Sequence, residues 1–169
     1  MIRQRQISSE TGERYSLIRI KYLTMKTDLT KILAISGQSG LFLYISATRT
    51  GAVVEALVDK KRSAVTATSK ITSLADISIY TDDEEVKLQQ VFLNMKEVLG
   101  EDNAPSAKSN PEELKALFEK ALPAYDRDRF YVSHMKKVVE WYNALKNYAS
   151  LDFVNPEEEA EETEAAEQE

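Results

Sequence analysis

Between Ile32 and Tyr80 the chain carries five short bursts of β-branched and apolar residues: Ile32 to Ile35, Leu41 to Ile45, Val53 to Val58, Ala64 to Ala67 and Ile77 to Tyr80. Each is of strand length and bounded by turn formers, a pattern that limits this stretch to β-structure. Gly37-Gln38-Ser39-Gly40, Arg49-Thr50-Gly51 and Asp59-Lys60-Lys61 supply three of the connections. A parallel crossover needs about a dozen residues or more, so connections this short predict antiparallel neighbours. The expected result is a meander closing into a small, partly open SH3-like β-barrel over residues 25–81.

After Tyr80 the apolar period changes from two to about 3.6. Leu88, Val91, Phe92, Met95, Val98 and Leu99 form a stripe that Gly100 closes, which predicts a connecting helix within 82–100. The acids Asp82, Asp83, Glu84 and Glu85 precede it and are expected to favour the positive end of its macrodipole. They lack the ligand alternation and internal glycine of a calcium loop. Residues 101–110, with Pro105, read as a hinge.

A second helix has a clear start, with Asn110 as cap, Pro111 in the first turn and Glu113 able to complete a capping box. Pro123 stops it. A third, expected to be capped by Ser133, has Met135, Val138, Val139, Tyr142, Leu145 and Ala149 as its apolar positions, so residues 111–150 should form a helical hairpin. The fold class is therefore α+β, an SH3-like antiparallel barrel followed by a three-helix region. Residues 151–169 read as an acidic disordered tail. Residues 1–24 read as a leader that precedes a natural-looking start at Met25.

The formal charge of -6 is dominated by the end of the chain, because residues 156–169 hold eight glutamates and no base. Residues 25–81 carry seven bases and four acids, and residues 82–155 carry ten bases and fourteen acids. The β-region is mildly basic and the helical region mildly acidic, which is weaker clustering than a nucleic-acid footprint usually shows. Cysteine is absent, so thiolate zinc sites and disulfides are excluded. The sequence has neither a run of about 20 apolar residues nor the pattern of a signal peptide, and a cytoplasmic protein is expected.

Catalytic signals are thin. The single histidine, His134, has no cysteine or second histidine to work with, so no catalytic residue, metal ligand or cofactor is assigned. Tyr125-Asp126-Arg127-Asp128-Arg129 alternates in charge, and an extended backbone would put Arg127 and Arg129 on one side to meet a carboxylate or phosphate. The competing reading is that the segment ties the helices to the barrel through ion pairs. Arg49, Lys60, Lys61, Arg62 and Lys70 form the basic half of the barrel and are the candidate contacts for RNA or DNA. Gly37-Gln38-Ser39-Gly40 fits a hairpin turn better than a nucleic-acid loop. Trp141 and Tyr148, seven residues apart on one helix flank, either seal the helices against the barrel or mark an interface.

Leu29 to Gly37 with Gly40-Leu41-Phe42, then Ser73 to Thr81 with Glu84-Glu85-Val86, then Leu122-Pro123 with Tyr125 to Arg129, Tyr131-Val132-Ser133, Lys136-Lys137-Val138 and Trp141-Tyr142, resemble a bacterial family known only as a domain of unknown function. The resemblance spans Met25 to about Tyr148. It implies a β-rich domain followed by a small helical one, and no activity. A non-enzymatic module that binds another protein is the expected role, with nucleic-acid binding through the barrel as the alternative.

Overall fold

The structure is a computed structural model and describes residues 26–154. The expected leader, residues 1–24, and residues 155–169 of the expected tail lie outside the described residues, whereas residues 151–154, read as the start of that disordered tail, are packed on the core. Among the described residues seven strands are formed: β1 (Ile32–Ile35), β2 (Phe42–Thr48), β3 (Gly51–Ala56), β4 (Arg62–Thr66), β5 (Ile71–Ser73), β6 (Ser78–Tyr80) and β7 (Glu85–Lys87). Three α-helices follow: α1 (Leu88–Leu99), α2 (Pro111–Ala121) and α3 (Val132–Tyr148). The class is α+β. Among the described residues no helix is long and apolar enough to cross a membrane.

Five strands make one antiparallel sheet in the order β4-β3-β2-β1-β5, and β6 and β7 form a separate hairpin. The sheet is not closed into a barrel, which corrects the SH3-like expectation. Ile77 to Tyr80 is not its fifth strand. That place is taken by β5, which pairs Ile71 with Ile35, while a single 3-10 turn at Leu74–Asp76 carries the chain off to β6. The β5 sequence is only three residues long and lies between Lys70 and Leu74, too short to show a period of two.

Open though it is, the sheet bends over its own residues. Leu33, Ile35, Phe42, Val54 and Val65 form a buried cluster on one face, and Val54 is 0% exposed. A register shift between Tyr44 and Ser46, where β2 gains one residue on β3, sharpens the bend. Gly51 lets β3 and β4 approach closely, since a Cβ there would lie 1.8 Å from the Val65 carbonyl oxygen. Gly37 and Gly40 both hold positive φ, at 82° and 83°, as the turn between β1 and β2 requires.

The other face of the sheet joins the main core. Ile32, Leu41 and Leu57 pack in one cluster with Leu88, Phe92 and Met95 of α1, Leu114 and Phe118 of α2, and Met135, Val139 and Tyr142 of α3. The two ends of the described chain meet on this core. Thr27 N donates to Asp152 O at 2.7 Å and Val154 N donates to Thr27 O at 3.0 Å, while Leu151 and Phe153 are buried.

Two helix starts differ from expectation. The acids before α1 are spent on the turn between β6 and β7, where Thr81 Oγ1 accepts from Glu84 N at 3.0 Å. Glu85 then belongs to β7, and α1 begins only at Leu88 with no acid in its first turn, so those acids do not serve its macrodipole. Helix α3 is capped at Tyr131 rather than Ser133, and His134 Nδ1 accepts from Tyr131 N at 3.1 Å. Helix α2 starts as the sequence predicts, with Asn110 Oδ1 accepting from Glu112 N at 3.2 Å.

Candidate functional site

Helix α3 turns one flank toward the sheet and the β6–β7 hairpin. His134, Lys137 and Trp141 are three and four residues apart along that flank, next to the buried stripe of Val138, Tyr142 and Leu145. Trp141 is half-buried and lines two adjoining clefts. One, of about 270 Å³, lies between α3 and β6 and is lined by Ile77, Ser78, Tyr80, Phe130, Lys137 and Trp141 among others. The other, of about 420 Å³, lies between α3 and the β1–β5 end of the sheet, with Ala34, the Gly37 to Gly40 turn, Lys70, Thr72 and Glu140 on its walls. Ile77, Lys137 and Trp141 are common to both, so the two form one groove.

The wall at Arg129 is held by Asp126 and Tyr80. Asp126 Oδ2 accepts from Arg129 Nε at 2.6 Å, and the Arg129 guanidinium lies 4.3 Å from the centre of the Tyr80 ring. Asp126 Oδ1 also accepts from Asp128 N at 2.8 Å and from Arg129 N at 3.2 Å. The hydrogen bond from Arg129, together with those main-chain donors, holds the Asp126 carboxyl below its ordinary carboxylate range, and the same bond raises the Arg129 guanidinium. These contacts make the segment a turn. The expected extended alternation, with both acids on one side and both arginines on the other, is therefore not formed. Arg127 instead lies over the Tyr125 ring at 4.8 Å and reaches Glu119 at 4.0 Å, away from the groove.

The remaining candidates are dispersed. Lys61 and Arg62 face Asp59 at 3.9 Å and Glu55 at 3.0 Å. Arg49 sits at the β2–β3 turn and Lys60 at the β3–β4 turn, opposite ends of a six-residue strand. At 3.3 Å per residue that separates them by roughly 17 Å. Lys70 belongs to the α3 groove, and Lys60 and Tyr148 line a different cleft, of about 570 Å³, with Lys31 and Ser150. Tyr148 is 46% exposed. Trp141 and Tyr148, paired by their spacing in the sequence, thus serve separate clefts. Among the described residues no group of three or more His, Asp or Glu side chains is placed to hold a metal ion.

Lys137 enters the sequence reading only as part of the family resemblance and not as a binding residue, and the β6 edge does not enter it. The signal for Lys137 was its position between His134 and Trp141 on one helix flank. The edge had none, because it is defined by what the folded hairpin leaves unpaired.

Comparison with known proteins divides the chain at the 3-10 turn of Leu74–Asp76. Residues 29–74 match Domain of unknown function (DUF5606), and residues 77–145 match Domain of unknown function (DUF6852). A solution NMR structure of a protein from Bacteroides vulgatus, determined as a structural-genomics target, is 40% identical to the chain. The match covers 71% of this chain and 87% of that one, with a TM-score of 0.60. The chain belongs to one family with that protein, and it carries both domains of unknown function. No curated protein matches it. The DUF5606 unit supplies the five-stranded sheet, with Ala34, Lys70 and Thr72 of the groove. The DUF6852 unit supplies Ile77, Tyr80, Arg129, Lys137 and Trp141, so the groove is built where the two units meet.

Proposed function

We propose that the protein is a non-enzymatic module that binds another protein through the groove along α3. The observation that carries this reading is the half-buried Trp141 on the groove floor, flanked by Phe130 and Val138 and rimmed by Lys137 and Arg129. An aromatic anchor in an apolar cleft with charges at its edge has the composition of an interface centre. A cytoplasmic location, expected from the sequence, is part of the same proposal.

The alternative, nucleic-acid binding through the sheet, draws its support from Lys60, Lys61, Arg62, Lys70 and Arg49. Their separation weakens it, since counterion release rewards cations that track one phosphate backbone. Two measurements on the full chain discriminate. Selection from a random peptide display library should yield ligands that lose at least tenfold in affinity on Trp141→Ala and are unaffected by Tyr148→Ala. Titration with mixed-sequence single-stranded RNA and duplex DNA at low salt should show no binding. Salt-sensitive binding lost on neutralising Lys60, Lys61 and Arg62 would overturn the proposal in favour of the alternative.

A further inference from the structure

The β6–β7 hairpin leaves one strand edge open into the groove. Thr81 N donates to Glu84 O at 2.8 Å and Leu88 N to Ile77 O at 3.0 Å, so the odd-numbered residues of this segment turn their main-chain groups toward β7. By the alternation of an antiparallel ladder, Ser78, Tyr80 and Asp82 turn theirs the other way. The segment at Ala124 to Asp126 covers the far end of that outer edge. Asp82 N donates to Ala124 O at 2.9 Å and Asp126 N donates to Tyr80 O at 2.9 Å, an antiparallel bridge centred on Thr81 and Tyr125.

That added strand stops after one bridge. The Asp126 side chain folds the next residues into a turn, and Phe130 N donates back to Asp126 O at 2.8 Å. The backbone therefore leaves the edge before it reaches Ser78. By the same alternation the N–H and C=O of Ser78 and the N–H of Tyr80 lie on this outer edge, and both residues line the cleft with Phe130, Val138 and Trp141. An unfilled edge of this kind is a template for another strand.

We propose that the groove takes an extended, acidic segment of a partner protein by strand addition to the outer edge of β6, in line with residues 124–126. This rests on the protein-binding reading above and specifies its ligand. Main-chain bonds to Ser78 and Tyr80 supply register, and alternate apolar side chains of the ligand fill the floor at Trp141 and Phe130. Charge selects its composition. Lys70, Arg129 and Lys137 line the groove against the single acid Glu140, and with Arg129 already held by Asp126, Lys137 and Lys70 are the cations presented to a ligand.

The test uses the full chain and heptapeptides selected from the random display library. Selected sequences should place Asp or Glu between alternating apolar residues. N-methylation of the peptide amides should weaken binding at least tenfold at alternate positions and less than twofold at the others, and binding should slow exchange of the Ser78 and Tyr80 amides. Lys137 is exposed, so Lys137→Glu should leave the thermal midpoint unchanged, reduce affinity at least tenfold and move the selected preference to Lys and Arg. Peptides that need Trp141 but tolerate N-methylation everywhere, or show three- and four-residue spacing, overturn strand addition and leave the protein-binding reading standing. A library that yields no ligand overturns both.

Discussion

Replacing Tyr142 by Phe should make the protein more stable. Tyr142 is 0% exposed, its ring lies 6.1 Å from Phe92, and its hydroxyl has no hydrogen-bond partner among the described residues. An unsatisfied buried hydroxyl costs about 1–3 kcal/mol, because water is lost and nothing replaces it. Phe fills the same space without that penalty and leaves only the small void of one oxygen. The expected gain is about 1 kcal/mol, after allowance for lost dispersion contacts. For a folded unit of this size that raises the thermal midpoint by about 3–6 °C.

The same hydroxyl gives the variant a distinctive pH signature. Burial, reinforced by the charge of Glu101, pushes the Tyr142 pKa above its ordinary 10.0. In the unfolded chain the phenol loses its proton near that value, whereas the folded protein keeps it. Wild-type stability attributable to Tyr142 is thus fully present below about pH 10 and is lost as pH rises toward the folded value. Urea unfolding at neutral pH and above pH 10 checks both points. Tyr142→Phe should have the higher midpoint at neutral pH and a shallower alkaline decline. A loss of 1 kcal/mol or more at neutral pH would refute the reasoning, since it would mean that the hydroxyl makes a bond in solution.

Gly51→Ala should lower the urea midpoint by an amount equivalent to about 3 kcal/mol, because the added Cβ meets Val65 and Thr66 main-chain atoms and the β3–β4 pair must open. Asn143 Oδ1 accepts from Ala104 N at 2.8 Å and its Nδ2 donates to Ala104 O at 3.0 Å. Asn143→Ala should therefore cost about 2–3 kcal/mol and speed amide exchange at Ala104, and unchanged exchange would refute the tether. Asp126 contributes stability that is fully present above its unfolded value of 3.8 and is lost as pH falls through its lower folded value. Asp126→Asn keeps the turn acceptor but not the ion pair, so thermal midpoints measured down the acid range should fall less steeply in the variant than in the wild type.

The elements legible in the sequence are those whose cause is local. Asn110 and Pro111 start α2 as predicted, since a cap and an N-terminal proline act within one turn. β1 runs from Ile32 to Ile35 as its apolar burst implies. The acids at 82–85 were misplaced because the dipole argument and the Thr81 turn compete for the same residues. The turn wins through two bonds between Thr81 Oγ1 and Glu84, leaving α1 to start at Leu88. Barrel closure failed for a different reason. Closure depends on which strands find each other across the sheet, and the three-residue β5 has neither length nor periodicity to announce its pairing with β1.

The site was legible in its parts and illegible in its assembly. Trp141 stood out as an aromatic on a helix flank, and Lys70 and Arg129 as bases, yet they lie about 70 and 12 residues from it along the chain. What brings them together is the 3-10 turn at Leu74–Asp76, which directs β6 away from the five-stranded sheet and lets α3 lie across the gap. Had Ile77 to Tyr80 joined the sheet as its fifth strand, the outer edge of β6 would be paired and the groove filled. The departure from a closed barrel and the presence of the groove are thus one structural fact. A variant that draws β6 into the five-stranded sheet should therefore abolish the groove and, with it, binding of the selected peptides.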